Sequence, residues 1–270
     1  MKYAFPLSTP EIDTPLLALS GDPARACALL REAGYDGVEL FVRDPAAFDR
    51  GAVLRAVRAA GLQVAAIGTG PVAVIDRLTF ASETSHQAAV ERTRRIVDFA
   101  AEAGAQVNVG KLRGDLGATD PTAAAGRRDD GFRTVCAHAA SVDVEITLEP
   151  QNRSVVDNLN DTAASLAWVR RLGLPNLRLM LDTFHQHLED PSPIAALVAA
   201  APLLRHVHFA DVGRRPPGAG GIDFATYVAV LQALAYDGFI TIEIAQNPDG
   251  PTAARRAIAW LRALDAALVP

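Results

Sequence analysis

The chain has 270 residues, half of them apolar, a formal net charge of −5 and an isoelectric point near 5.7. A chain this long buries about three quarters of its unfolded surface, so a large core is available, while the acidic balance lacks the basic footprint that a nucleic-acid partner needs. The two cysteines, Cys27 and Cys136, lie far apart without a Cys-x-x-Cys; no apolar run approaches the ~18 residues of a membrane span; and Met1-Lys2 leads straight into a strand pattern rather than a signal peptide. Reduced thiols, no membrane partner and a cytoplasmic location are therefore expected.

In chain order the pattern predicts a strand over 2–8, a helix over 22–33, a strand over 37–42, a helix over 49–60, a strand over 62–68 and a helix over 85–103. It continues with a strand over 106–111, a helix over 119–140, a strand over 145–150, a helix over 161–172 and a strand over 177–183. A helix over 192–201, a strand over 204–210, a helix over 223–236, a strand over 239–245 and a helix over 251–268 complete it. The junctions repeat one phrase: a helical pattern ends at or near a glycine, and a short apolar run follows, as in "REAGYDGVEL", "AEAGAQVNVG", "RRLGLPNLRLML" and "AYDGFITIEI". Glycine adopts the left-handed conformation that ends a helix, so each phrase reads as a helix cap feeding a strand. Alternation of this kind specifies parallel βα units, and eight of them without a linker fit a single-domain α/β fold, a (β/α)8 TIM barrel spanning residues 1–270. The competing open sheet would carry a glycine-rich dinucleotide turn after its first strand, and "STPEIDTPLLALSGDP" has none.

Barrel strands present one set of side chains to the helices and the alternate set to the axis. In "EITLEP" Ile146 and Leu148 take the helix side, leaving Glu149 inward at the mouth; in "LRLMLD" the leucines leave Asp182 inward and last. In "LRHVHF" His206 and His208 point inward, His208 nearer the mouth, and in "FITIEI" the isoleucines leave Thr241 and Glu243 inward. Four consecutive strands thus aim Glu149, Asp182, His208 and Glu243 at one place. Three carboxylates buried together are costly unless a cation balances them. This oxygen-rich set with one imidazole suits Mn2+, Mg2+ or Co2+, and admits Zn2+. His206, deeper, reads as structural, and His187 as surface or structural. After the fourth strand, Lys111 and Arg113 of "GKLRG" are candidates to hold a substrate carboxylate or phosphate, a solvated turn being the alternative.

These residues also carry a resemblance. With "GYDGVEL", "LEPQNR", "LDTFH", "HVHFADVGRRPPG" and "IEI" in this order, the chain resembles the xylose isomerase-like TIM barrels along essentially its whole length. It is most similar to their branch of sugar isomerases and epimerases, which includes ketose 3-epimerases and hydroxypyruvate isomerases. The resemblance implies one divalent metal, manganese foremost, on Glu149, Asp182, His208 and Glu243. It also implies substrate contacts from His185, three residues after the aspartate, and from Arg214, six residues past the metal-binding histidine. Ketose 3-epimerases carry a further glutamate six residues past the fifth-strand ligand; here that position is Val155, which implies a different substrate end.

The expected chemistry is isomerisation or epimerisation of a keto-sugar or sugar-derived keto-acid through a metal-stabilised enediolate, with Glu149 and Glu243 as catalytic bases. A metal-dependent lyase (a dehydratase or decarboxylase of a keto-sugar or keto-acid) and a non-catalytic metal-binding barrel remain as alternatives. A nuclease of this superfamily needs three metals and extra histidines, and "AAIGTG" and "VNVGKL" supply none. Barrels of this kind often pair, so a homo-oligomer is compatible with the sequence, although no motif fixes one.

Overall fold

The computed structural model describes residues 1–117 and 119–268. Eight parallel strands close in sequence order into a barrel, β1 (Lys2–Ser8), β2 (Gly37–Phe41), β3 (Gln63–Gly68), β4 (Gln106–Val109), β5 (Ile146–Leu148), β6 (Leu177–Asp182), β7 (Leu204–Phe209) and β8 (Phe239–Ile242). The seam is the β8–β1 pair, with Lys2 opposite Phe239 and Ala4 opposite Thr241. The helices are α1 (Pro23–Ala33), α2 (Arg50–Ala59), α3 (Gly70–Val74), α4 (His86–Ala103), α5 (Pro121–Ser141) and α6 (Thr162–Leu172), then α7 (Thr183–Glu189), α8 (Pro193–Ala200), α9 (Phe224–Ala233) and α10 (Gly250–Leu268). All sixteen predicted elements are present, the helices with ends within three residues of the expectation. Two short helices, α3 and α7, stand where loops are expected. No described helix is long and apolar enough to cross a membrane.

The glycine phrases act largely as predicted. Gly34, Gly104 and Gly173 close α1, α4 and α6 in the left-handed conformation. The "AYDG" junction differs: α9 ends at Ala233, Ala235 takes the positive φ of 51°, and Gly238 serves close packing instead. A Cβ on Gly238 would collide with the Tyr236 hydroxyl.

The core divides as the strand phase requires. Ile146, Leu148, Leu179, Leu181, Val207 and Ile240 are buried in the main cluster between barrel and helices. Inside the barrel the fill changes with height. Phe239, in the inward phase of Thr241, forms a separate small cluster with Ala4 and Ala65 at the end away from the mouth. Above it lies a polar layer: Thr147 donates to Asn108, Asn108 Nδ2 donates to Glu39 Oε1 at 2.9 Å, and His206 Nε2 sits 3.0 Å from Glu39 Oε2 and 2.9 Å from Thr241 Oγ1. Buried polar groups are tolerable when each finds a partner, and this layer is nearly complete; His206 Nδ1 alone of these atoms lacks one.

Candidate metal and substrate site

The mouth of the barrel collects the ends of β5 to β8. Register places Asp182 beside His208 and His208 beside Thr241, so neighbouring strands deliver their last inward side chains at similar depth. Glu149 and Glu243 follow one residue beyond β5 and β8. The Glu149 amide still donates to Val109 O at 3.0 Å, which keeps it in phase with its strand.

Asp182 does two jobs. One carboxylate oxygen accepts from Phe184 N at 2.8 Å, capping α7, as short acidic side chains do at helix starts. The other, Oδ2, turns into the mouth. His185 therefore sits on the first turn of a helix rather than in a loop. It is 2 % exposed, with Nδ1 held by Asn152 at 2.8 Å and Nε2 2.9 Å from Arg214 Nη2. Burial pulls its pKa down to about 4, so the ring is neutral. His187 is exposed.

His208 Nε2 lies 2.8 Å from Glu39 Oε2. Burial alone would lower the His208 pKa, but the Glu39 and Glu243 carboxylates outweigh it and raise it well above the usual value. The opposite nitrogen, Nδ1, faces Glu243 Oε2 at 3.7 Å and Glu149 Oε1 and Asp182 Oδ2 at 3.9 Å each. His208 Nδ1 and Glu149 Oε1 are both buried and have no hydrogen-bond partner among the described residues. Such atoms are rare in folded proteins, and two that face each other across less than 4 Å mark a place for a cation. Glu149, Asp182 and His208 have ligand atoms within 4.8 Å of one another. A divalent ion with donors at about 2.0–2.2 Å can bridge them with small adjustments, so these residues fit a metal. Glu243 Oε2 borders the same space but is paired with Arg214 Nη1 at 2.9 Å, and the same nitrogen pairs with Asp182. The site thus brings together all four predicted ligands, with the arginine balancing two of them. Burial pushes the Glu149 carboxyl up to about 8, aided by the neighbouring Glu243 and Asp182 charges and opposed by His208.

Arg214 is delivered by the loop after β7. Asp211, fully buried, accepts from the backbone amides of Val212, Gly218, Gly220 and Ile222, so the loop is wound around one carboxylate. Arg214 itself has a left-handed φ of 58°, uncommon for a residue with a side chain. Ala245 N holds it by donating to Arg214 O at 2.8 Å, and its guanidinium lies 4.7 Å from the centre of the Phe184 ring.

The cavity over these groups has a volume of about 200 Å3. Leu16, Leu17, Phe41, Pro71, Val74 and Val155 form its apolar wall. Lys111 also lines it, and its side chain has no hydrogen bond or ion pair among the described residues. Arg113 does not reach it, which corrects the expectation of a substrate contact there. Residues 111–113 form a 3-10 turn, in which side chains two apart point about 240° apart around the axis. Lys111 faces the mouth, whereas Arg113 is 0 % exposed and donates to the backbone oxygens of Gly110, Glu149, Asn158 and Leu159. It clamps the β5–α6 loop from beneath. Arg113→Met strands these buried carbonyls and lowers stability by about 3 kcal/mol or more in urea unfolding; unchanged stability with a weakened KM would restore the substrate role.

Two functional groups lie away from the mouth ends of the strands, where the sequence reading looks for them. Glu39, 1 % exposed, accepts from both histidines of β7, and burial, which would raise its pKa, is outweighed by those two rings, so it stays a carboxylate. Its signal was the inward phase of "GVELF", in step with Gly37 and Phe41. Asp211 was visible only as one acid in a glycine-rich loop.

The model of the xylose isomerase-like TIM barrel family matches residues 27–264. A ketose 3-epimerase of Arthrobacter globiformis is 31 % identical over 218 residues, covering 79 % of this chain and 74 % of that one. A putative hydroxypyruvate isomerase of Homo sapiens is 30 % identical over 257 residues, 90 % of each. Among solved structures, an L-ribulose 3-epimerase superposes with a TM-score of 0.83 at 24 % identity, covering 99 % of this chain and 95 % of that one.

Proposed function

The chain belongs to the xylose isomerase-like TIM barrel family, and from that premise we propose that it is a divalent-metal-dependent isomerase or epimerase of a keto-sugar or sugar-derived keto-acid. The observation that carries this reading is the pair of unpartnered buried atoms, His208 Nδ1 and Glu149 Oε1, set between two acidic side chains that reach the mouth from separate strands. Glu149, Asp182, His208 and Glu243 would hold the ion, manganese foremost. When bound, it supplies Lewis-acid stabilisation of negative charge on the substrate's carbonyl and neighbouring hydroxyl oxygens.

The protein's own groups account for the rest. Glu149 and Glu243 stand three of the eight strands apart around the barrel, so a carbon held between them meets one carboxylate on each side. One, as the carboxylate, removes the proton next to the carbonyl, and the other, in its acid form, delivers its own proton to the opposite face, which inverts the centre and leaves the two protonation states exchanged. If only one carboxylate reaches, the proton moves between adjacent carbons and the product is an isomer. Arg214 donates to the substrate oxygens as the enediolate forms, and neutral His185, fixed by Asn152, orients them. Lys111 meets the far end of the substrate, beside Val155. The relatives named as ketose 3-epimerases and as a hydroxypyruvate isomerase support this class of reaction.

The test is carbon-bound hydrogen exchange. The Mn2+-loaded protein is incubated in D2O with D-fructose, D-allulose, D-tagatose, L-ribulose and hydroxypyruvate, and followed by NMR and mass spectrometry. Deuterium incorporation with the carbon skeleton and its oxygens intact is expected. Loss of water or CO2 would replace the reading with a lyase, and no exchange on any keto compound would leave a binding protein.

A further inference from the structure

One amide in the mouth has no part in the chemistry described above. Gln151 follows Glu149 by two residues and lines the same cavity. Its amide nitrogen donates to Glu149 Oε2 at 2.6 Å. Its amide oxygen is shielded from solvent and has no partner among the described residues. The amide thus turns its NH2 side to the Glu149 carboxyl and its carbonyl oxygen away from it.

The packing around this amide is specific. Gly110 lies against it, and a Cβ there would come 2.5 Å from both Gln151 Nε2 and Glu149 Oε2. The missing side chain at 110 is what lets amide and carboxylate lie side by side. Asn160 Nδ2 donates to the Gln151 backbone oxygen at 2.7 Å and fixes the loop beneath. A held amide whose acceptor is left unpaired is unfavourable until a donor arrives. The two cations of the cavity wall do not supply one: the Arg214 guanidinium is committed to Asp182, Glu243 and His185, and Lys111 makes no hydrogen bond to Gln151. A bound molecule that displaces solvent from the mouth must bring the proton. A hydroxyl has one to give, whereas a carboxylate, a phosphate or a ketone oxygen has none.

We propose that Gln151 is a specificity-determining residue whose amide oxygen accepts a hydrogen bond from a neutral substrate hydroxyl close to the reacting carbon, while its nitrogen stays on Glu149. The proposal rests on the ketose reading above and narrows it. The substrate is hydroxylated at the position beside Glu149, so any anionic group it carries lies elsewhere in the cavity.

The experiment measures coupling between residue and hydroxyl. Wild type, Gln151→Met and Gln151→Asn are assayed with Mn2+ on the best ketose of the panel and on its 1-deoxy and 4-deoxy analogues, with Mn2+ stoichiometry and ketose affinity measured by calorimetry. Gln151→Asn draws the amide back by one carbon and repeats the test where the methionine variant does not fold. In wild type, the parent ketose is expected to exceed one deoxy analogue in kcat/KM by about tenfold to a hundredfold. Gln151→Met loses that factor on the parent and stays within about threefold of wild type on that analogue, with one Mn2+ still bound. Equal losses on the parent and both analogues, or a loss of Mn2+, would show that Gln151 acts only through Glu149 and would overturn the proposal. Unchanged kinetics would do the same. A wild type that binds Mn2+ and turns over no ketose would overturn the ketose reading and this proposal with it, an outcome distinct from the others.

Discussion

Replacing Glu243 by glutamine lowers kcat by about 10²–10⁴-fold, with Mn2+ retained at one ion per chain. The amide keeps the shape and much of the hydrogen-bonding of the carboxylate but cannot take a proton from carbon. Glu243 Oε2 now meets Arg214 Nη1 at 2.9 Å, and an amide oxygen can keep that contact, so the loss isolates proton transfer from packing. A transition-state role lowers kcat and kcat/KM together, whereas a binding role raises KM alone. Near-normal turnover with metal bound would end the assignment of Glu243 as a base and leave the fold untouched.

The second large effect comes from a residue that touches no substrate. Glu39→Gln weakens Mn2+ affinity by about 10–100-fold and lowers stability by about 1–3 kcal/mol. Glu39 Oε2 is shared by His206 and His208 at 3.0 and 2.8 Å, and Oε1 accepts from Asn108. As long as residue 39 is a carboxylate, the Nε2 proton of His208 stays on it, and an ion that displaces the Nδ1 proton would meet a lone pair aimed at Glu149, Asp182 and Glu243. An amide has one acceptor in place of two, so either a histidine or Asn108 loses its partner and the ring orientation is no longer unique. Calorimetric titration with MnCl2 and urea unfolding measure the two halves. Wild-type metal affinity in Glu39→Gln would remove the positioning role.

Both residues lie in the inward phase of their strands, yet only Glu243 is legible as functional in the sequence. The barrel is legible because eight strands share one grammar: apolar residues at every second position towards the helices, and turn residues between. The same period isolates Glu149, Asp182, His208 and Glu243, since a polar side chain in the inward phase at a strand end is aimed into the mouth by the strand itself. The rest depends on contacts the period does not encode. Glu39 sits in a five-residue strand that otherwise reads as core, and its role appears only when β2 is seen across the barrel from β7. Arg113 misleads because two basic residues two apart look equivalent in sequence, whereas a 3-10 turn sends them to different sides. The helix α7 is hidden because Asp182 ends a strand and caps a helix at once, with no residue between to mark the change. Gln151 and Gly110 carry no periodic signal at all; only the 2.5 Å that a Cβ would leave shows why 110 is bare.

On the proposed function, four inward side chains from adjacent strands hold one divalent cation. Calorimetric titration of the EDTA-stripped protein with MnCl2, repeated on Asp182→Ala and His208→Ala, tests it most directly. One tight Mn2+ per wild-type chain is expected, lost in both variants while their circular dichroism still reports a folded barrel. No tight ion in the wild type, or one that survives both substitutions, would contradict it.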